Sequence, residues 1–104
     1  MYARLIKSHM KPEKFDLVTR LFEEKVIPTL KKQKGFRDEL SFIDKEHGET
    51  MAISFWDSEA DALKYEKDVY PQMLETLKGT YTGELEIKHL EVANSTWYKI
   101  HATN

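Results

Sequence analysis

Two hydrophobic periods alternate along this chain. Residues 2–8, "YARLIKS", form a short apolar-rich run bounded by the turn-like "HMKP", and read as a strand. From Lys11 to Gly35 the period lengthens. Phe15, Val18, Phe22, Val26 and Leu30 recur at steps of three or four, with Leu21 beside them, which predicts an amphipathic helix. Pro12 suits its first turn. Lys31, Lys32 and Lys34 complement the negative end of the helix dipole, and Gly35 can take a left-handed cap. Pro28 lies inside the pattern, where the missing N–H predicts a kink.

A period of two then returns. "FRDELSFID" (36–44) places Phe36, Leu40 and Phe42 on one parity, and "KEHGE" supplies a turn before the strand "TMAISFW" (50–56). That third strand carries Met51, Ile53 and Phe55 on one face and Ala52, Ser54 and Trp56 on the other. With no charge on either face, both are expected to be covered. Ser58 and Asp61 have capping-box spacing, so a second helix starts directly after Trp56. Pro71 divides it, and Leu63, Tyr70, Met73, Leu74 and Leu77 are its expected buried stripe. "ELEIKHLEV" (84–92) is the fourth strand. Its alternation shifts phase between Ile87 and Leu90, as a β-bulge would produce. Trp97, Tyr98 and Ile100 make the tail too apolar for a free end.

The order is βαββαβ, an α+β arrangement in which two helices cover one face of a four-stranded sheet. The apolar second face needs another cover, and a second copy of the sheet is the simplest, so a homodimer through the sheet face is expected.

Composition narrows the chemistry. The 104 residues fit one domain, and a net charge of −2 gives no drive toward nucleic acid or acidic membranes. Cysteine is absent, which removes disulfides and thiolate chemistry. No apolar run approaches the roughly 18–20 residues of a membrane span, and "MYARLIKSHMKPEK" lacks a signal-peptide core, so a cytoplasmic location is the default expectation. No two histidines have metal-ligand spacing, so no metal site is expected.

Three stretches in this order carry a resemblance: Gln33-Lys34-Gly35-Phe36 closing the first helix, "FWDSEADAL" from Phe55 to Leu63, and "DVYP" from Asp68 to Pro71. Together they resemble the antibiotic biosynthesis monooxygenase family of dimeric α/β barrels, over residues 1–93, with 94–104 a tail docked on the domain or on a partner subunit. The resemblance implies a ferredoxin-like monomer with a pocket between sheet and helices, in a family where some members oxidise aromatic polyketides or quinols without a cofactor and others degrade haem. Trp56 matches the tryptophan that many members place in the pocket. The haem-degrading branch's asparagine in the first strand and histidine in the second helix have no counterpart here. In the polyketide-oxidising branch an aromatic in the second helix accompanies the Trp, and Tyr65 can stand for it. That branch's asparagine in the third strand and later arginine are missing.

The expected function is therefore a cofactor-independent monooxygenase for a small phenol- or quinol-like aromatic. A non-catalytic dimer binding a small hydrophobic ligand is the alternative, and haem binding without the usual residues is a third. Trp56 is read either as a core plug or as a pocket wall beside the small Ala52 and Ser54. Tyr65 or His9 would handle the proton. Phe22, Ser54, Tyr70 and Met73 are the expected pocket lining. Arg4 and Arg37 are strand arginines; either could pair a substrate oxygen, but pairing with an acid, with the neighbouring "RDE" as the source, is the favoured expectation.

Overall fold

A computed structural model describes residues 1–102. β1 (Tyr2–Met10) is followed by a helical stretch containing α1 (Phe15–Leu21) and α2 (Ile27–Lys31), then β2 (Phe36–Asp44), β3 (Glu49–Trp56), α3 (Glu59–Asp68), α4 (Tyr70–Leu77) and β4 (Tyr81–Glu91). The sheet order is β2-β3-β1-β4 with every neighbour antiparallel, and the helices lie on one face. This is the α+β, ferredoxin-like architecture that the βαββαβ order predicts.

The helix irregularities have local causes. Between α1 and α2 the chain makes a π-turn, Phe22–Val26, in which the Ile27 N–H reaches back to the Phe22 carbonyl. Pro28 lacks an N–H, and its ring crowds the carbonyl four residues earlier. Widening the turn just upstream absorbs both. α3 starts where expected: Ser58 Oγ accepts the Asp61 N–H at 3.2 Å and donates to Asp61 Oδ2 at 3.0 Å. It breaks at Val69, with Pro71 in the first turn of α4.

Even-numbered residues of β1 and β3 face the helices and build the main core. Tyr2, Val26, Leu30, Trp56, Ala62, Tyr65, Tyr70 and Met73 pack there. Leu63, expected in the buried stripe, is exposed. The helix instead presents Ala62 and Tyr65, three residues apart, and Leu63 falls about 100° round from Ala62. Two strand expectations also change. Phe36 leaves the face of Leu40 and Phe42, because the register slips between Phe36 and Asp38. It packs edge-on against Trp56, ring centroids 5.6 Å apart. In β4 the pairing runs unbroken from Leu90 to Glu86, and the bulge lies earlier. Lys7 and His9 pair with Glu86 and Thr82, so β4 holds the extra residues around Gly83, whose φ is +70°.

The opposite face carries Met51, Ile53, Phe55, Leu40 and Phe42. The tail folds onto this face of its own chain. Trp97 meets Phe55 edge-on at 6.0 Å, Lys99 Nζ lies 3.9 Å from Asp38, and Ile100 is buried. Phe42 remains 51% exposed beyond the tail, with Leu40 and Leu90 also open.

Candidate functional site

A cavity opens between the helix-side face of the sheet and the helices. Its volume is about 80 Å³. One water takes roughly 10–15 Å³ on the same scale, so the cavity suits a one- or two-ring ligand. Its wall is mostly apolar, from Ile6, Val18, Phe22, Met73 and their neighbours, with a few polar groups from the strands and α3–α4.

Arg4 is the most unusual of these. Strand parity turns it inward, and it is 2% exposed. Its Nε donates to Glu66 Oε1 at 2.7 Å, and His89 Nε2 lies 2.9 Å from the same oxygen. The guanidinium sits 3.9 Å over the ring of Tyr70 and 5.6 Å from that of Tyr65. Its Nη2 is buried without a hydrogen-bond partner among the described residues, and so is the Tyr70 hydroxyl. Buried unpaired donors are costly, and two at one apolar cavity are what an oxygen-bearing ligand would satisfy. Arg4 thus pairs an acid, as its strand setting suggests, but the acid is Glu66 on α3 and not a neighbour in "RDE". Arg37 pairs Asp57.

The tyrosines are tuned as neutral donors. Burial pushes the Tyr65 hydroxyl up to about 12, with the Arg4 charge opposing. Burial also raises Tyr70, against the Arg4 charge and the Arg4 side chain close to its hydroxyl, a contact that falls short of a well-formed hydrogen bond. At neutral pH neither is a proton acceptor. Glu39, on β2, is the one carboxylate among the described lining residues. Burial raises its carboxyl above the usual range, although the Ser41 hydroxyl donates to it.

The sequence-expected residues divide. Phe22, Ser54, Tyr65, Tyr70 and Met73 line the cavity together. Trp56 does not. It is fully buried one layer behind, packed at a tilt against Tyr65 with ring centroids 5.1 Å apart, and its Nε1 donates to the lining Ser54 Oγ at 2.9 Å. His9 points away: β1 continues to Met10, so Ser8 and Met10 face the cavity and His9 is exposed on the other side. Glu39 and Glu66 were missed as site residues, and Arg4 was weighed as a partner for a substrate oxygen but set second to an acid pair. Arg4 could have been found from its inward parity, shared with Tyr2 and Ile6. Glu39 carries no such signal within "RDEL".

Haem does not fit this cavity well. Among the described residues no histidine lines it, so it offers no imidazole to a haem iron. Among the described residues no cluster of three or more His, Cys, Asp or Glu is gathered for a metal, and no helix is long and apolar enough to cross a membrane.

No protein-family model matches the chain, and no curated protein matches it in sequence. Solved structures do match in shape. The monooxygenase ActVA-Orf6 of Streptomyces coelicolor, in complex with nanaomycin D, superposes with a TM-score of 0.77 at 11% identity, covering 92% of this chain and 90% of that one. A structure described as an antibiotic biosynthesis monooxygenase matches with a TM-score of 0.68 at 17% identity, over 88% and 98% of the two chains. The haem degrader MhuD of Mycobacterium tuberculosis, with two haems bound in its active site, gives 0.73 at 11% identity, over 93% and 100%. The chain therefore has the antibiotic biosynthesis monooxygenase-like fold that the sequence resemblance implies.

Proposed function

We propose that this chain is a cofactor-independent monooxygenase for a small phenol- or quinol-like aromatic held in the cavity. One observation carries the reading: at an otherwise apolar cavity, the buried Arg4 Nη2 and the Tyr70 hydroxyl beside the guanidinium make no well-formed hydrogen bond. Such donors stabilise a developing oxyanion where water is excluded. An electron-rich aromatic anion can then meet oxygen directly. A ring C–H conjugated to the hydroxyl becomes one C=O and the hydroxyl becomes the other; the substrate supplies all four electrons that reduce O₂, one oxygen atom stays on the ring, and the second leaves as water with the two hydrogens lost. Named neighbours of the same fold are monooxygenases, which favours the same class here.

The test is oxygen uptake with a panel of quinols, naphthols and anthrols. Uptake matched by quinone product from at least one of them is expected. Ligand-dependent thermal stabilisation with no uptake from any compound would leave only a binding protein.

We also propose that the chain functions as a homodimer through the open sheet face. The tail covers part of that face, and Phe42, Leu40 and Leu90 remain for a second copy. Sedimentation equilibrium at micromolar concentration should give twice the chain mass, and a monomer would overturn this.

A further inference from the structure

One cross-strand row runs over the whole sheet on its helix side. His89 of β4 pairs with Arg4 of β1, Arg4 with Ser54 of β3, and Ser54 with Glu39 of β2. The two central polar ends of the site, Arg4 and Glu39, both line the cavity. They are two strands apart, so their backbones are separated by roughly 10 Å. Only the short Ser54 side chain stands between them in the row, and its Oγ is occupied by the Trp56 indole at 2.9 Å. Trp56 thereby acts on the site from behind: it fixes the small residue that keeps the middle of the row low. A cation and a carboxylate thus flank the short Ser54 on the sheet floor of the cavity, with Tyr65 and Tyr70 lining it from the helices as a roof.

We propose that Glu39 is the proton-accepting residue of this site, and that its ligand is a one- or two-ring compound with an acidic C–H or O–H at one end and a conjugated oxygen at the other. The inference rests on the ligand site proposed above and deepens it. Glu39 takes the proton as the C–H or O–H bond breaks, and the electron pair stays on the ligand. Conjugation delivers that charge to the far oxygen, where Arg4 Nη2 donates to it. Elimination among the lining groups points the same way. Among the described lining residues, Arg4 is cationic, Tyr65 and Tyr70 are held neutral, none is a histidine, and Glu39 is the one carboxylate. Burial disfavours its charged form, which makes it a stronger base than a solvated glutamate. The Ser41 hydroxyl, which donates to Glu39 Oε1, keeps the carboxylate oriented.

The proton transfer can be read without oxygen. (4-Nitrophenyl)acetonitrile has an acidic benzylic C–H₂ conjugated, on deprotonation, to the nitro oxygens at the other end of its ring. Incubated under argon in D₂O with the full chain, it should exchange benzylic hydrogen for deuterium faster than in buffer, followed by NMR. Glu39→Gln should lower the protein-dependent rate about a hundredfold or more, and Glu39→Asp should restore part of it. The Gln variant should remain folded, because a group whose folded pKa is raised loses stability as pH rises through that pKa, and glutamine never ionises. Thermal stabilisation by 2-naphthol checks that its cavity is intact. Exchange at the wild-type rate by Glu39→Gln, or no acceleration by the wild type, overturns the assignment. Glu39-dependent exchange in a protein that takes up no oxygen supports the assignment and removes the oxygenase reading instead.

Discussion

Arg4→Met is expected to weaken binding of hydroxyaromatic anions such as 2-naphtholate, and to slow any oxygen uptake, by about 10- to 150-fold. That range corresponds to a charge-assisted hydrogen bond of about 1.5–3 kcal/mol. The domain should survive. Methionine fills the space of the arginine stem, and the variant no longer buries an unpaired Nη2. The partner left behind is not stranded: Glu66 is 27% exposed and keeps His89 at 2.9 Å. The loss should therefore be about 1–2 kcal/mol, below the roughly 3–5 kcal/mol of a fully orphaned buried charge. A pH signature separates the two effects. Burial pushes the Glu66 carboxyl up, but hydrogen bonds and charge from Arg4 and His89 outweigh it and hold the group below its ordinary 4.5. A lowered folded pKa contributes stability above the unfolded value, lost as pH falls through the folded one. Urea melts at pH 7 and below pH 4.5 should show this acid loss in the wild type and less of it in Arg4→Met. Unchanged 2-naphtholate affinity in the variant would remove Arg4 from the site.

Much of the fold could be read because its signals are local. The three-to-four spacing from Phe15 to Leu30, the Ser58–Asp61 cap and Pro71 each specify a helix or its end within a few residues. Parity placed Ser54 and Trp56 on one face correctly. What failed was long-range. Phe36 changes face because a bulge at Arg37 fits β2 to β3, and nothing in "GFRDEL" marks that register slip. His9 looked like a loop residue at a strand end, and two more paired residues turned it to the wrong side of the sheet. The site divides in the same way. Tyr70 and Met73 were legible on one buried helical stripe, while Tyr65 entered through the family resemblance. Glu39 was not, since its neighbours Arg37 and Asp38 make it look like solvated surface, and only the strand pairing sets it opposite Arg4 across Ser54. The bulge that moves Phe36 and the parity that turns Glu39 inward belong to the same strand. The least legible element is thus the one that brings the carboxylate.

That strand is held in place at Gly35, and Gly35→Ala is expected to destabilise the domain by about 2–4 kcal/mol. Two penalties combine. Gly35 has φ +80°, where a side chain costs about 1–2 kcal/mol. A Cβ there would also lie 2.1 Å from Asp61 Oδ2, 2.5 Å from its Cγ and 2.7 Å from its Cβ, an overlap worth about 1–3 kcal/mol. The backbone cannot simply swing away, because the Gly35 carbonyl accepts the Asp57 N–H at 2.8 Å and Phe36 is packed on Trp56. Asp61 cannot retreat cheaply either, since its carboxylate accepts the Ser58 hydroxyl of the α3 cap. Asp61→Gly removes the overlap but not the φ penalty. In a double-mutant cycle by urea denaturation, Gly35→Ala should therefore cost about 1–3 kcal/mol less in the Asp61→Gly background. An additive cycle would assign the whole effect to the backbone and discard the steric contact. The contact matters for the site because its two sides carry different halves of it. Gly35 leads into β2 and Glu39, while Asp61 lies one helical turn before Tyr65. Prising them apart should move the carboxylate away from the tyrosine roof, so Gly35→Ala should also lose the stabilisation that 2-naphthol gives the wild type.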